Sequence, residues 1–560
     1  MSSPAAMTTP PTPPDSPAAD AGHEHTGRLA AAVRVVSGLT LVSRFAGLAR
    51  DVITARIFGD DLLGSAFRAA YALPNLFRRL FGEGALSAAF LPEYVVLRRD
   101  QPDTANQLGS IVVRLLTLVT GALTLVLMGV LAVLLWLLPA NAERALSFKL
   151  MILMLPMMPA VCLTAVLGGM LQAHGRFGPP AAAPILLNVF QIAAGALFYF
   201  GVMTDRAATA YLIGAAAVLA GLAQIAWSLW ALRGRVRWVA AGQAARSHGR
   251  EVFKRFVPAM LGLGTLQLNT MMDVVIAMWP VWVGPTIFGY AVPLDEKSNA
   301  ILSFTQTIYQ FPLGVFGLAV ATAVFPLLSR TADNPEEFVG VLRRGLRLSL
   351  FIGLPATIGL ILVRHDLLAV IFGGGTRYAF SQAGLDRAAA VLAGFAPGVW
   401  AYSLNHVYTR AFYARHDTRT PMKLAMRMVG LNFVLNVTLV WLLREAGLAW
   451  STSISATVQC LVLAWWCRRE LRVEPMDRET WAGFGRVAAV TALMAGTVAS
   501  ALYLLPAGAT WAGHALNLAV AVGAGMVVYA AAARLLRLPE LAWLFQRAPR
   551  GTGVEPISFE

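Results

Sequence analysis

The chain has 560 residues, 57% hydrophobic and only 13% charged, with a mean hydropathy of +0.63. Water-soluble domains carry about 25% charged residues, so a soluble enzyme or binding module is excluded and a polytopic membrane protein is expected. The formal charge of +15 lies mostly in short segments between apolar runs, where cytoplasmic loops are basic, and so does not point to nucleic acid.

Residues 1–27 are rich in Pro, Ala, Ser, Thr and Asp and cannot build a core. They lack the charged and apolar regions of a signal peptide, so a disordered cytoplasmic tail is expected. Apolar periodicity then predicts an all-α chain of fourteen helices, near 33–57, 62–97, 109–139, 147–173, 180–202, 208–233, 252–283, 299–329, 338–363, 386–414, 419–443, 448–467, 482–505 and 513–537. The second, eighth and tenth exceed what a bilayer requires, so they are expected to be tilted, broken or protruding. Gly47, Pro74, Gly82 and Gly84 are the break points expected in the first two.

Loop charge sets the orientation. The segment with Arg233, Arg235, Arg237, Arg246, Arg250, Lys254 and Arg255 belongs in the cytoplasm, whereas Gly59-Asp60-Asp61 and Leu505-Pro506-Ala507-Gly508 carry no positive charge. Both termini are then cytoplasmic. The chain also resembles itself at a nearly constant offset. Ala88-Ala89-Phe90-Leu91-Pro92 recurs as Ala323-Val324-Phe325-Pro326, and Leu171-Gln172-Ala173-His174 with Pro180 recurs as Phe412-Tyr413-Ala414-Arg415 with Pro421. The pattern predicts two six-helix lobes, 28–240 and 241–475, two added helices within 476–540, and a cytoplasmic tail at 541–560.

The first lobe carries arginines inside its first two spans: Arg44 and Arg50 beside Asp51, then Arg78 and Arg79 ahead of Glu83. Each such charge costs about 2.5–3.5 kcal/mol in hydrocarbon on insertion scales, so these residues should line a wet cavity. An anion is the occupant they fit, because a guanidinium fork donates two hydrogen bonds to one phosphate. A structural ion-pair network, with Asp51 and Glu83 neutralising two arginines, is the alternative. Arg56 and Arg68 are placed near an interface. The matching stretch of the second lobe, Phe304 to Pro312, is polar but uncharged.

The runs Ser43-Arg44-x-x-Gly47-x-x-Arg50-Asp51 and Leu73-Pro74-Asn75-Leu76-x-Arg78-Arg79-x-x-x-Glu83-Gly84 resemble the MurJ (MviN) lipid II flippases of the MOP exporter superfamily. So do Arg176-Phe177 with Pro180, Pro184 and Asn188, and Tyr413-x-x-x-Asp417-x-x-Thr420-Pro421-x-Lys423. The resemblance covers about residues 28 to 540. It implies two lobes around a V-shaped cavity, in the bacterial inner membrane, moving the undecaprenyl-pyrophosphate-linked peptidoglycan precursor to the outer leaflet. By match to the motif, Arg44, Arg50, Arg78 and Arg79 would contact the head group, with Asp51 and Glu83 orienting or gating. Implied partners are that precursor, membrane lipids, and cell-wall synthesis or division proteins. The last two helices would line a groove for the isoprenoid tail, although plain lipid-facing helices have the same composition.

This chain departs from the family pattern in two places. Better-known members carry an acidic residue at Ser65, and charged residues where Gln306, Thr307 and Gln310 stand here. The segment from Pro280 to Asn299 is also longer than usual, as an external plug, an amphipathic hairpin or an inert insertion would be. Some members bind sodium, and the corresponding positions here are Asp273, Asn432, Asn436, the Leu448 carbonyl and Thr452. Asn432 and Asn436 share a helix face by their spacing. The same residues serve equally as an inter-helix hydrogen-bond cluster.

Other chemistry finds no support. Cys162, Cys460 and Cys467 have no ligand spacing, His174, His406 and His416 are isolated, and no catalytic or phosphate-loop motif occurs. No enzyme activity is expected. The competing readings are a MOP-superfamily transporter of another anionic lipid-linked oligosaccharide, a cation-coupled drug exporter, and an inactive scaffold for cell-wall enzymes. A drug exporter for cations would favour carboxylates over arginines.

Overall fold

The computed structural model describes residues 17–80, 86–240, 242–287, 289–374, 379–506, 508 and 510–545. Glu83, Gly82, Gly84 and the tail beyond residue 545 lie outside them. The first half contains α1 (Pro17–Phe58), α2 (Leu62–Phe77), α3 (Leu86–Asp100), α4 (Pro102–Leu137), α5 (Ala142–Met154), α6 (Met157–Ala173), α7 (Gly178–Tyr199) and α8 (Arg206–Leu232). The second contains α9 (Gln243–Ala277), α10 (Trp279–Trp282), α11 (Ser298–Pro312), α12 (Leu318–Arg330), α13 (Pro335–Phe372), α14 (Gln382–Phe395), α15 (Gly398–Ala414), α16 (Arg419–Leu443) and α17 (Glu445–Arg469). Then follow α18 (Arg478–Leu504), α19 (Trp511–Leu535) and the short α20 (Pro539–Phe545).

Counting α2–α3, α5–α6, α11–α12 and α14–α15 as interrupted runs, and setting aside α10 and α20, leaves the fourteen runs expected. Polar caps mark where they begin. Asp61, Asn141, Asp205, Ser381, Asp477 and Thr510 each accept backbone N–H bonds from the first turn that follows. Among the described residues, nine helices are long and apolar enough to cross a membrane. α2 and α11, which line the cavities described below, have 16 and 15 residues and are interrupted short of a full span.

The interruptions fall at matching places in the two halves. A π-turn at residues 78–80 follows α2, and a second, Leu313–Gly317, follows α11. The α5–α6 junction is at Pro156 and the α14–α15 junction at Pro397, the same interval that separates Pro180 from Pro421. Gly47 breaks nothing: α1 runs through it. A Cβ there would lie 3.7 Å from Asn188 Nδ2, an ordinary contact, so the packing of α7 on α1 does not require a glycine. The first helix is described from Pro17, upstream of the boundary at residue 28, with a proline at its first position as helix starts favour.

Water does not drive helices together inside a bilayer, so close packing must do so. At Gly221 of α8 an added Cβ would lie 2.8 Å from the Ala160 methyl of α6. The buried cores mostly follow the halves. Phe58, Phe67, Met154 and Ile213 cluster in the first, and Phe338, Tyr408, Phe412 and Leu463 in the second. Ala533 and Leu538 join the latter cluster, attaching the C-terminal helices to the second half. The boundary at 240 does not separate the cores cleanly, because Val252 and Phe256 of α9 pack among Phe90, Tyr94 and Leu108.

The long segment after α9 forms α10 and a two-stranded ladder, β1 (Thr286–Ile287) with β2 (Tyr290–Ala291). The Trp282 indole donates to Ser147 Oγ of α5 at 2.9 Å. At its other end, Asp295 pairs with Arg387 at 2.8 Å and Arg444 at 2.9 Å in the second half. The segment is therefore a hairpin fastened to both halves.

Candidate functional site

α1, α2, the turn after it, α6, α7 and α8 enclose a cavity of about 660 Å³ within the first half. Arg44, Arg50, Arg78 and Arg79 all line it, facing Asn188, Gln172 and Gln224 across small residues such as Gly168 and Gly169. Local structure explains how four guanidiniums converge. α1 supplies Arg44 and Arg50, while the π-turn after α2 presents Arg78 and Arg79. Arg78 Nε donates to Asn75 Oδ1 at 2.9 Å, and Arg79 Nη1 to Gln267 Oε1 of α9 at 3.3 Å. A side chain at Gly314 would collide with the Arg44 guanidinium, so the second π-turn makes room for this arginine.

A smaller cavity of about 150 Å³ adjoins the first and lies between the halves. Arg50, Asp51, Arg68 and Arg79 form one wall, and Gln267, Thr270, Gln306, Thr307 and Gln310 the other. Arg50 donates to Asp51 Oδ1 at 2.9 Å, to Tyr71 Oη at 2.9 Å and to Asn188 Oδ1 at 3.0 Å. Asn188 in turn donates to the Ser43 carbonyl at 3.1 Å, fixing the amide that holds Arg50. Arg68 Nη1 reaches the same Asp51 oxygen at 3.3 Å.

Arg56, two residues from the end of α1, and Arg68, in the second turn of α2, both reach across to the second half. Arg68 spans the two halves, donating to the Ser303 carbonyl at 2.8 Å and Thr307 Oγ1 at 3.3 Å over the Phe304 ring. Arg56 donates to the carbonyls of Ile371 at 2.9 Å and Val370 at 2.6 Å, at the end of α13. These backbone acceptors, absent from any sequence pattern, stabilise both cations.

The halves close on each other at one end of the bundle. Ser381 donates its N–H and its hydroxyl to Asp60, at 2.8 and 2.7 Å. Ser65 Oγ accepts from the Ala300 N–H at 2.9 Å, and its carbonyl from Asn299 Nδ2 at 2.8 Å. Ser65 thus accepts at the start of α11 and ties α2 to it.

Among the residues resembling a sodium site, Asn436 Nδ2 donates to Asp273 Oδ1 at 2.7 Å and to Asn432 Oδ1 at 3.2 Å. All three are buried. Asn436 Oδ1 and Asn432 Nδ2 have no hydrogen-bond partner among the described residues. A carboxylate beside an amide oxygen with no donor is a set a hard cation fits. Thr452 Oγ1 donates to the Leu448 carbonyl at 3.1 Å, one turn away on α17.

Sequence reading foresaw the arginines and the Asp273–Asn436 pairing of distant helices. It missed Tyr71, Asn188 as an Arg50 partner, and the reach of Arg68. The glutamines opposite were noted only as lost charges. An arginine within the second apolar run was the available signal for Arg68, since a charge there needs a buried acceptor.

A helical membrane bundle of two repeated halves, with arginine-lined cavities at and beside their junction, is the architecture of a membrane transporter. The profile of the lipid II flippase MurJ family matches residues 54–518, and the chain belongs to that family. It is 29% identical to the probable lipid II flippase MurJ of Vibrio cholerae serotype O1, over 90% of this chain and 96% of the relative. It is 31% identical to the probable lipid II flippase MurJ of Rhizobium tropici, over 76% and 79%. Among solved structures, a lipid II flippase MurJ in an inward closed conformation superposes with a TM-score of 0.72 at 21% identity, over 90% of this chain and 99% of that one. An inward-facing MATE family multidrug transporter of the MOP superfamily shares the fold, with a TM-score of 0.61 at 14% identity, over 79% and 98%. The chain is a multi-pass membrane flippase, not an enzyme.

Proposed function

We propose that this flippase holds the diphosphate of lipid II in its 660 Å³ cavity, with Arg44, Arg50, Arg78 and Arg79 as the binding groups, and carries it across by alternating access. The observation that supports this most is the convergence of four guanidiniums on one membrane-embedded cavity. Asp51 orients Arg50, and Glu83 keeps the gating role its motif implies. Residues 28–240 and 241–475 act as the two lobes, moving around the junction marked by the smaller cavity. The end closed by Asp60 and Ser381 faces outward, in the bacterial inner membrane, with both termini in the cytoplasm. Cell-wall synthesis or division proteins are the partners that would consume the delivered precursor.

The test is complementation of a strain depleted of its essential lipid II flippase, with membrane abundance measured in parallel. Wild type rescues growth, whereas Arg78→Ala and Arg79→Ala, present at equal abundance, do not. Full rescue by both variants sinks the arginine assignment.

Asp273, Asn432 and Asn436, with the Leu448 carbonyl and Thr452, would hold a sodium ion. The ion would supply positive charge for the buried Asp273 carboxylate and for the oxygen of Asn436. Sodium then raises the melting temperature of wild type relative to choline but leaves Asp273→Ala unmoved. Equal responses of the two proteins would remove the site.

A further inference from the structure

The Arg50–Asp51–Arg68 group has three members but one carboxylate. Both arginines bond the same oxygen, Oδ1, Arg50 at 2.9 Å and Arg68 at 3.3 Å. The group therefore keeps a net charge of +1, and the two guanidiniums compete for one acceptor. Their other attachments lie in different places. Arg50 lines both cavities and, among the described residues, bonds within the first half, through Tyr71 and Asn188. Arg68 holds the second half, through the Ser303 carbonyl and Thr307 Oγ1 on α11.

We propose that Arg68 is a positioning residue that couples occupancy of the arginine cavity to separation of the two halves. This inference rests on the diphosphate reading above and adds the route by which binding is sensed. An anion engaging Arg50 supplies that guanidinium with new acceptors, so its hold on Asp51 weakens. Asp51 then turns its full charge on Arg68 and draws it off α11. The Ser303 and Thr307 contacts are lost, and they belong to the same face of α11 whose start is pinned to Ser65. The Ser303 and Thr307 acceptors carry no formal charge, so a closer ion pair with an Asp51 no longer shared with Arg50 can offset their loss. The opposite wall of the small cavity holds Gln267, Thr270, Gln306 and Gln310, none of them charged and able to replace Asp51 as counter-ion.

The experiment separates binding from response. Cys162, Cys460 and Cys467 are replaced by alanine, and spin labels are placed at Phe200→Cys and Gln382→Cys. These are exposed positions on the two halves at the Asp60 end. Affinity for undecaprenyl diphosphate and the inter-label distance distribution are measured for wild type, Arg68→Gln and Arg68→Lys. In wild type, the ligand should shift the population toward longer distances by about fivefold or more, the lower range of allosteric coupling. Arg68→Gln should bind within about threefold of wild type yet show no ligand-dependent shift. Arg68→Lys keeps the charge for Asp51 but lacks the fork that spans to α11, and should respond weakly. A purely structural role would lower thermal stability without separating binding from response.

An intact shift in Arg68→Gln overturns the proposal. So does loss of binding together with the shift, or a wild type that binds without responding. A wild type that does not bind undecaprenyl diphosphate fails the diphosphate reading itself, and the separate affinity measurement identifies that failure.

Discussion

Ser381 commits both of its hydrogen-bond donors to Asp60, its N–H to Oδ1 at 2.8 Å and its hydroxyl to Oδ2 at 2.7 Å. Ser381 is also the N-cap of α14, with its hydroxyl oxygen accepting from the Gly384 N–H at 3.0 Å. One carboxylate from the first half is thus seated on a helix N-terminus of the second, where partial positive charge favours it. A side chain at Gly384 would collide with Asp60, so the glycine is what lets the carboxylate approach.

Removing that carboxylate should loosen the closed end. Hydrogen bonds to charged groups contribute about 1.5–3 kcal/mol each. Asp60→Ala is therefore expected to raise the population open at this end by tenfold or so, at about 1.4 kcal/mol per decade. Labelling of a cysteine at buried Ala300 by a membrane-impermeant maleimide should rise accordingly. Unchanged labelling would show that the Asp60–Ser381 contact does not latch the halves.

The C-terminal helices are held by a buried ion pair. Arg347 Nε of α13 donates to Glu540 Oε1 of α20 at 2.6 Å, and both residues are at most 5% exposed. Arg347 also reaches Glu479 of α18 at 3.0 Å and lies 5.2 Å from the Trp543 ring centre. Breaking such a pair by removing one partner costs about 3–5 kcal/mol, because the other charge stays buried. Glu540→Ala should lower the melting temperature in detergent strongly, and Arg347→Met with Glu540→Leu much less. Equal losses in the single and double variants would contradict a paired-charge role.

Acid should release the hairpin after α9. Burial alone would raise the Asp295 carboxyl, but hydrogen bonds and charge from Arg387, with Ser298 and Arg444, hold it at about 2 against an ordinary 3.8. A lowered value means that the stabilisation is complete above the unfolded carboxylate's pKa and disappears as pH falls from about 4 to about 2. Asp295→Asn should therefore be less stable than wild type at neutral pH, with the difference shrinking across that window. A gap that stays constant down to pH 2 would exclude the ion pair as its source.

The sequence was most legible where membrane insertion makes a charge expensive. Arg44, Arg50, Arg78 and Arg79 had to be explained by a cavity, and one encloses them. Helix existence was equally plain, since each span needs its own apolar run. The reach of Arg56 and Arg68 into the second half went unread because it uses backbone carbonyls on α13 and α11, which no side-chain pattern displays. The proline breaks at Pro156 and Pro397 were visible in principle through the repeat offset, and went unread because helices can also carry proline without breaking, as α13 does at Pro355. Thr307 looked like a lost charge, yet the structure brings the Arg68 guanidinium to it from α2.

The central claim is that guanidiniums in the first half grip a diphosphate. It is tested most directly by comparing the affinity for undecaprenyl diphosphate with that for uncharged undecaprenol, in wild type and in the triple variant Arg44→Ala, Arg78→Ala, Arg79→Ala. Truncating partners of a buried charged ligand typically costs 2–5 kcal/mol, so wild type should prefer the diphosphate by at least about thirtyfold and the triple variant should lose that preference. A triple variant that stays folded and binds the diphosphate as tightly as wild type would contradict the account.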